Sequence, residues 1–189
     1  MTAPAATTDP AEQQLLDAAE RLFYANGIQA VGMDALRAES GVSYKRMYQL
    51  HAGKEDIVVA FLRRRDVRWR GRLRDHVEAV EGARERVLAV FDWLHVWFSE
   101  PDFRGCAWIN AFGELGGTSP AVTAEVRRHK GAFERYLRRL AAEAGCSRAT
   151  ASALFLLAEG AMATAAIQGS PRPAREARRA AAALLDAEA

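Results

Sequence analysis

The sequence predicts an all-helical protein with about nine helices. Alanine, leucine, arginine and glutamate dominate its 189 residues, and these residue types have high helix propensity. Stretches that alternate apolar and polar residues are absent, and glycine–proline clusters are few, so strands have little support. Half of the residues are apolar, which is enough for a chain of this length to bury a substantial core.

The first helix is predicted at about 10–25, because its apolar residues have the spacing of a single buried face. These residues are Leu15, Leu16, Ala19, Leu22 and Phe23. Gly27 and the apolar Ile28 follow. That pair is typical of a left-handed helix cap whose next residue folds back onto the helix.

Residues 32–50 predict a short helix, a tight turn and a second helix. Gly41 suits the turn, because a short connection between two crossing helices usually needs a residue with positive φ. Ser43 is predicted to cap the second helix with its hydroxyl. Positions 44 and 48, like 45 and 49, lie one turn apart, so their polar and aromatic side chains share one outward face. A helix presented in this way can enter the major groove of DNA.

The rest of the chain predicts a carboxy-terminal helical bundle joined by a long helix. That helix begins at residue 54, with acidic residues in its first turn, and runs to about residue 80. Further helices are predicted at 83–99, 106–115, 120–144, 148–168 and from 173 onward. The predicted domains are therefore 1–53, with a mobile arm at 1–9, and 54–189.

Seven arginines between residues 63 and 74 form the strongest charge run in the chain. They spread around the predicted helix and are interleaved with acidic and apolar residues. We interpret them as a solvated or ion-paired helix face, although a bare run of this kind is also compatible with a nucleic-acid tract.

Residues 15–61 resemble the amino-terminal domain of the tetracycline-repressor (TetR) family of bacterial transcriptional regulators. The resemblance rests on Leu-Leu-Asp-Ala-Ala-Glu-Arg-Leu-Phe-Tyr-Ala-Asn-Gly-Ile at 15–28, Met-Asp-Ala-Leu-Arg-Ala-Glu-Ser-Gly-Val-Ser at 33–43 and Met-Tyr-Gln-Leu-His-Ala-Gly-Lys-Glu-Asp-Ile at 47–57. It implies that residues 43–46 face base edges and that Tyr48 and Lys54 hold phosphates. The chain departs from the family pattern at Gly32, His51 and Ala52-Gly53. The predicted DNA-binding residues are Ser43, Tyr44, Lys45, Arg46, Tyr48, Gln49 and Lys54.

A homodimer is expected, because one recognition helix reads only a few base pairs. The resemblance implies the same arrangement. The alanine-rich helix 148–168 needs neighbours on several sides, so it is predicted to build the interface with helix 120–144 or with the last helix. The predicted interface residues are Leu154, Leu157, Ala161, Ala165 and Leu184.

Aromatic residues concentrate in the middle third of the chain, as in an apolar small-molecule cavity with a few polar anchors. The predicted ligand-binding residues are Trp69, Trp93, Trp97, Trp108, Asn110, Phe112, Glu114, Phe133 and Met162. The alternative is that the aromatic side chains are core and that Asn110 and Glu114 are structural. The sequence leaves both interpretations open.

The predicted function is a ligand-responsive transcriptional repressor that binds a palindromic double-stranded DNA operator as a dimer and is released by a small apolar or amphipathic effector. The alternative is a helical ligand-binding or adaptor protein that does not touch DNA, which Gly32 and the net charge of −2 over residues 1–53 favour. An enzyme is not expected. The four histidines are scattered, and neither a glycine-rich phosphate loop nor a nucleophile with a spaced base is present.

A cytoplasmic location without cofactor or metal is expected. Residues 1–10 lack the basic start and apolar stretch of a signal peptide. Cys106 and Cys146 are isolated thiols, which are typical of a reducing compartment. No apolar run approaches the roughly 20 residues that cross a bilayer, so no membrane contact is expected.

Overall fold

The computed structural model describes residues 9–188, which form nine helices and no strand. The helices are α1 (Pro10–Asn26), α2 (Met33–Ser40), α3 (Tyr44–Leu50), α4 (Lys54–Glu78), α5 (Ala83–Phe98), α6 (Ala107–Leu115), α7 (Pro120–Glu143), α8 (Arg148–Gln168) and α9 (Arg172–Asp186). The all-helical prediction is confirmed. The predicted mobile arm lies outside the described residues except for Asp9.

Side-chain caps begin α1 and α3, and the cap of α3 is the one that its sequence predicts. The Asp9 carboxylate accepts a hydrogen bond from the Ala11 N–H at 2.9 Å, and the Ser43 hydroxyl accepts one from the Arg46 N–H at 3.3 Å. Between α2 and α3, Gly41 adopts the left-handed conformation, with φ 70° and ψ 1°. The turn predicted there is confirmed.

The end of α1 differs from the left-handed cap predicted at Gly27. Its φ is 86° but its ψ is 156°, so the chain extends instead of closing a left-handed turn. The reason lies in the next two residues, whose N–H groups both point to the Glu114 carboxylate. Ile28 still folds back and is buried.

Helix α4 runs through one continuous hydrophobic core and links its amino-terminal part to the bundle. Ile57 and Phe61 are buried near its start, and the Phe61 ring lies 5.9 Å from the Phe23 ring of α1. Trp69, Leu73 and Val77 are buried further along, where α4 packs on α5 and α7. The predicted domain boundary at residues 53 and 54 therefore stays a prediction, because the helix that follows it is shared.

The arginine run of α4 is ion-paired, as interpreted from the sequence. Glu20 of α1 receives Arg64, Arg65 and Arg68. The remaining pairs are Arg63 with Glu125, Arg64 with Asp17, Arg70 with Asp66, Arg72 with Glu100 and Arg74 with Asp75. Five of these arginines therefore attach α4 to its neighbours, while Arg70 and Arg74 pair within α4, and the run does not form an open basic tract.

A buried carboxylate joins α4 to α7. Asp66 is fully buried, and its oxygens accept two hydrogen bonds from Arg70, at 2.8 and 2.9 Å, and one from Arg128 at 3.1 Å. His129 Nδ1 lies 2.7 Å from Asp66 Oδ1. Burial by itself raises the pKa of Asp66, but the hydrogen bonds from His129 and Arg70 outweigh burial and hold that pKa far below its ordinary value. The carboxylate is therefore charged and fully compensated.

His129 is the neutral member of this network. Burial lowers the pKa of His129 to about 4, and the hydrogen bond to Asp66 only partly opposes that effect. Its ring is stacked on Trp108, with the ring centroids 3.4 Å apart. At neutral pH its Nδ1 therefore donates to Asp66, and its Nε2 carries a free lone pair without a hydrogen-bond partner among the described residues.

Helix α8 passes the length and composition test for a membrane-spanning helix. The sequence-based expectation that no apolar run reaches that length is therefore wrong. About a third of its apolar window is buried within the chain, where α8 packs against α5, α7 and α9. Helices in the core of a bundle have the same composition, so the test by itself does not indicate a membrane.

Protonation of His129 is expected to lower the free energy of unfolding as the pH falls. Its pKa is about 4 in the folded chain against 6.5 ordinarily, so the unfolded chain binds the proton first and stability is lost as the pH falls from 6.5 to 4. The loss attributable to His129 is about 3 kcal/mol. The pKa of Asp66 is also lowered, from an ordinary value of 3.8. Its protonation therefore continues the loss of stability at pH values below 3.8.

Urea denaturation of the parent and the His129→Gln variant at pH 7.5, 6.0 and 4.5 would measure this loss. The variant should lose less stability over the range than the parent does. Equal losses in both proteins would show that His129 does not titrate as stated.

Candidate functional site

The outward face of α3 presents the predicted DNA-binding side chains. Tyr48 is 55% exposed and Tyr44 is 36% exposed, and Lys45 and Gln49 are also exposed. The opposite face of the helix is held by Met47, which is fully buried. Residues 44, 45, 48 and 49 therefore form one continuous surface, as their spacing predicts.

Two residues of this surface are bound to acidic side chains of the same chain. The Tyr44 hydroxyl donates a hydrogen bond to Asp34 of α2. The Arg46 guanidinium forms an ion pair with Asp9 and also donates to the Gln49 side chain at 3.1 Å. A phosphate or base would have to displace these acids before it could bind Tyr44 or Arg46.

Lys54 lies at the start of α4 and is partly buried. Its ammonium group is 3.5 Å from the Gln29 carbonyl oxygen. Burial lowers the pKa of Lys54, while the nearby Glu114 carboxylate raises it. The amine thus lies beside the connection between α1 and α2, and it belongs to α4, the helix that follows α3.

Two departures from the family pattern have clear structural consequences. Gly32 caps α2 without a side-chain hydrogen bond, so no hydroxyl is available at the start of that helix. The His51 side chain is only 9% exposed and its Nε2 lies 3.7 Å from a Glu12 oxygen. The histidine thus packs as a mostly buried ring beside α1.

Six predicted ligand-binding residues lie buried in the bundle, namely Trp69, Trp93, Trp97, Trp108, Phe133 and Met162. Trp69 is at the centre of the ring cluster. Its ring centroid lies 4.9 Å from Trp93, 5.6 Å from Trp97, 6.2 Å from Trp108 and 5.2 Å from Phe133. Most of these contacts are edge-to-face, which is the favoured geometry of packed aromatic cores.

The aromatic cluster contains three buried nitrogens without a hydrogen-bond partner among residues 9–188. They are Trp69 Nε1, Trp108 Nε1 and His129 Nε2. A buried polar atom that lacks a partner is costly, and such atoms often mark a functional site. In the same described residues, no group of three or more His, Cys, Asp or Glu side chains is placed to hold a metal ion.

The other three predicted ligand residues lie on α6, outside the ring cluster. Phe112 is 51% exposed. The Asn110 side chain donates to the Arg104 carbonyl oxygen at 2.9 Å. The Glu114 carboxylate accepts hydrogen bonds from the backbone N–H groups of Ile28 at 3.0 Å and Gln29 at 2.7 Å. These contacts favour the structural alternative for Asn110 and Glu114.

Glu114 belongs to a set of polar contacts that join α6 and its flanking loops to the amino-terminal helices. The Gln29 side chain donates to the Glu114 carbonyl oxygen at 2.6 Å. The Tyr24 hydroxyl of α1 donates to the Gly105 carbonyl oxygen at 2.7 Å and accepts from the Arg104 N–H at 3.0 Å. We call these contacts the α6 clamp. Sequence spacing gives no signal for them, because the partners are about 80 or more residues apart.

The predicted interface residues divide into two groups. Leu154, Ala161 and Ala165 are buried within the chain, because α8 packs on its neighbours through them, so they offer no surface to a second chain. Leu157 and Leu184 are partly exposed and line an open apolar groove between α8 and α9. The groove is also lined by Ala153, Leu156, Ala180 and Ala183.

Two family models match the chain. The model described as bacterial regulatory proteins, tetR family, matches residues 15–61. The model described as tetracyclin repressor-like, C-terminal domain, matches residues 83–181. No curated protein matches the chain in sequence.

Solved structures of regulators have the same fold as this chain. A TetR-family transcriptional regulator from Streptomyces coelicolor is 29% identical, with a TM-score of 0.80 over 92% of this chain and 96% of that chain. The reduced form of NemR from E. coli is 22% identical, with a TM-score of 0.81 over 92% and 95%. A TetR-family transcriptional regulator from Cytophaga hutchinsonii is 16% identical, with a TM-score of 0.82 over 98% of each chain. At 22% and 16% identity, the last two structures show only that the fold is shared.

Removal of the Glu114 carboxylate is expected to loosen the connection between α1 and α2. In Glu114→Ala the N–H groups of Ile28 and Gln29 lose their acceptor, so their hydrogen exchange should become about tenfold faster or more. NMR-detected exchange measures this directly. Glu176→Ala, which removes an exposed acid from α9, is the control and should leave both rates unchanged. Unchanged rates in Glu114→Ala would contradict the α6 clamp.

Proposed function

Because this chain belongs to the TetR family of bacterial transcriptional regulators, we propose that it is a cytoplasmic, ligand-responsive repressor. It binds a palindromic operator as a homodimer and is released by a small molecule. The observation that carries the proposal is the exposed face of α3, whose helix is followed at once by α4. Since α4 continues into the bundle, a change in the bundle can move the DNA-binding surface.

In this proposal the residues of α3 have two kinds of contact with DNA. Residues 43–46 face base edges in the major groove, and Tyr48 with Lys54 binds backbone phosphates. Arg46 exchanges Asp9 for DNA when it binds, and Tyr44 exchanges Asp34. The cost of breaking these contacts lowers affinity for any duplex and leaves discrimination to sites that supply good replacements.

The proposed interface is the apolar groove between α8 and α9, with a second copy of the chain as its occupant. Leu156 is 67% exposed and Ile167 is 86% exposed on α8. Exposed apolar patches with few polar groups usually bind another protein surface. A two-fold dimer buries the same groove on both chains and forms a four-helix bundle from two α8–α9 pairs.

The proposed coupling runs through α4 and the α6 clamp. A ligand that prefers one arrangement of the bundle shifts α4 relative to α7 and moves α6, and both elements contact the amino-terminal helices. The spacing of the two α3 helices in the dimer changes as a result. The ligand releases DNA only to the extent that it binds the two arrangements with different affinity.

A second candidate function is a ligand-binding or adaptor protein of this fold that does not bind DNA. The observation that favours it is the engagement of Tyr44 and Arg46 by acidic neighbours in a segment of negative net charge. Selection from random-sequence duplexes separates the two functions, because the adaptor retains no DNA.

Substitutions on α3 are expected to weaken operator binding. Lys45→Ala and Tyr48→Ala should each lower the affinity for the protein's own upstream DNA about tenfold or more, since each removes a base or phosphate contact. For Lys54→Ala, which removes the ammonium group assigned to a phosphate, the slope of log affinity against log salt should fall by about 1. Fluorescence anisotropy titrations at several salt concentrations measure both quantities.

Arg138→Ala is the matched control, because it removes an exposed positive charge from α7, away from α3 and from the α8–α9 groove. It should change neither affinity nor salt dependence. If Lys45→Ala and Tyr48→Ala bind as tightly as the parent, the assignment of α3 as the DNA-binding helix fails.

A charge in the α8–α9 groove is expected to separate the dimer. Leu156→Glu places a carboxylate in the proposed interface, where burial without a partner is strongly unfavourable. Sedimentation velocity should show a dimer for the parent and a single chain for the variant. Val67→Glu, at a 70% exposed position of α4, is the control and should stay dimeric. A dimeric Leu156→Glu protein would place the interface elsewhere.

A further inference from the structure

A cavity of about 400 Å³ lies between α4 and α7. It is large enough for a small organic molecule. Leu73, Ala132 and Phe133 give it an apolar wall, and Tyr136 lines it as well. The remaining lining residues are four arginines, namely Arg70, Arg74, Arg135 and Arg139. We call this space the arginine cavity.

The four arginines differ in how far their charges are already compensated. Arg70 is bound to the buried Asp66, and Arg139 forms an ion pair with Glu143 at 2.6 Å. Arg74 contacts only the neighbouring exposed Asp75, at 3.5 Å. Arg135 forms no ion pair within residues 9–188. Among residues 9–188 no acidic side chain lines the cavity, and the carboxylates nearest to Tyr136 are those of Glu78 and Glu143, outside the lining. Arg74 and Arg135 therefore give the cavity wall a positive charge that no close ion pair neutralises.

Tyr136 adds a hydrogen-bond donor that is unused within the described residues. Its hydroxyl is buried and has no hydrogen-bond partner there. Burial raises the pKa of Tyr136, so the group is a neutral O–H donor at physiological pH. A buried hydroxyl without an acceptor is unfavourable, and an acceptor atom brought by a ligand would remove that cost.

These features match one class of ligand. A positive charge, a free O–H donor and an apolar wall together suit a molecule with an anionic oxygen group and a compact apolar body. Arginine binds carboxylates in a paired, planar geometry, and the phenol can donate to the same oxygens. We propose that the arginine cavity binds a carboxylic acid with an aromatic or medium-length aliphatic body.

The arginine cavity differs from the site predicted around the tryptophans. Phe133 is the only residue common to the two sets. The cavity also lies on other helices than the α8–α9 groove, so a dimer formed through that groove leaves it open. The aromatic cluster forms part of the wall behind Phe133, since the Trp69 ring packs against that residue at 5.2 Å.

A carboxylate in this cavity would act directly on the position of α4. Arg70 and Arg74 belong to α4, whereas Arg135, Tyr136 and Arg139 belong to α7. The ligand would therefore bridge the two helices. It would also compete for Arg70 with Asp66, whose contacts to Arg128 and His129 fix α4 against α7. This part of the inference rests on the proposed function, because it treats the carboxylic acid as the effector.

Calorimetric titration of the full chain without DNA tests the site itself. The probes are 2-naphthoate and octanoate, each compared with its neutral alcohol, 2-naphthalenemethanol and 1-octanol. At least one acid should bind about tenfold more tightly than its alcohol or better, because only the acid pairs with the arginines. No binding of either acid, or equal binding of acid and alcohol, would overturn the proposal.

Variants locate the bound acid. Arg135→Gln and Arg74→Gln should each weaken its binding about tenfold, and Tyr136→Phe about threefold or more. Arg138→Gln is the control, because this exposed arginine of the same helix pairs with Glu134 at 2.7 Å and lies outside the cavity. A loss in Arg138→Gln equal to that in Arg135→Gln would show charge attraction without a site and overturn the proposal.

Thermal unfolding guards against misfolded variants. Since the Tyr136 hydroxyl has no partner, Tyr136→Phe should unfold at the same temperature as the parent or higher. Weaker binding by this variant with unchanged stability therefore supports a direct contact. A marked fall in its unfolding temperature would show that the hydroxyl is bonded within the protein and would overturn its role.

Anisotropy with operator DNA then separates the site from the proposed function. If the acid binds but the DNA affinity stays the same, the carboxylate site stands and the effector role fails. If the acid binds and lowers DNA affinity in the parent but not in Arg135→Gln, both stand. If the protein binds no DNA while the calorimetric results hold, the proposed function fails and the carboxylate site stands.

Discussion

The passage of α4 through one continuous hydrophobic core, from α1 at one end to the bundle at the other, is the constraint on which the rest of the structure depends. Its first turns pack against α1 through Phe61, and its second half packs against α5 and α7 through Trp69 and Leu73. A helix is stiff over 25 residues, so neither end can move without displacing the other. The fully compensated Asp66 fixes where α7 sits along this helix, since moving it would leave a buried charge unpaired.

The two parts of the chain are joined by different kinds of contact. Along α4 the contacts are a continuous apolar core flanked by ion pairs to α1 and α7, so they resist sliding. At α6 they are a few hydrogen bonds, chiefly those that Glu114 accepts from the Ile28 and Gln29 N–H groups and the one that Tyr24 donates to the Gly105 carbonyl oxygen. Hydrogen bonds at a partly exposed surface are individually weak and directional. These hydrogen bonds can break and form again in a new geometry. Helix α6 can therefore move when the bundle changes, and it stabilises the fold less than α4 does.

The small net charge of the chain hides an uneven distribution of charge around α4 and α7. Most arginines of α4 are neutralised by carboxylates from α1, from α7, from the loop after α5 or from α4 itself, and the pairs between elements help to assemble the fold. Arg74, which has only a 3.5 Å contact with its exposed neighbour Asp75, and Arg135, which pairs with no acid among residues 9–188, both line one cavity. The α3 face shows the reverse pattern, because its Arg46 is held by Asp9. The unpaired positive charge thus lies at the arginine cavity, whereas Arg46 of α3 must leave Asp9 before it can bind DNA.

The sequence by itself determined the helix count, the Gly41 turn, the Ser43 cap and the outward face of α3, because these follow from local propensity and periodicity over a few residues. The tertiary structure alone decided the burial of Asp66, the engagement of Glu114 with Ile28 and the arginine cavity. The tertiary structure also decided that Leu154, Ala161 and Ala165 are buried within the chain. Each depends on which helices meet, and residues about 60 to 85 positions apart carry no periodic signal of their contact.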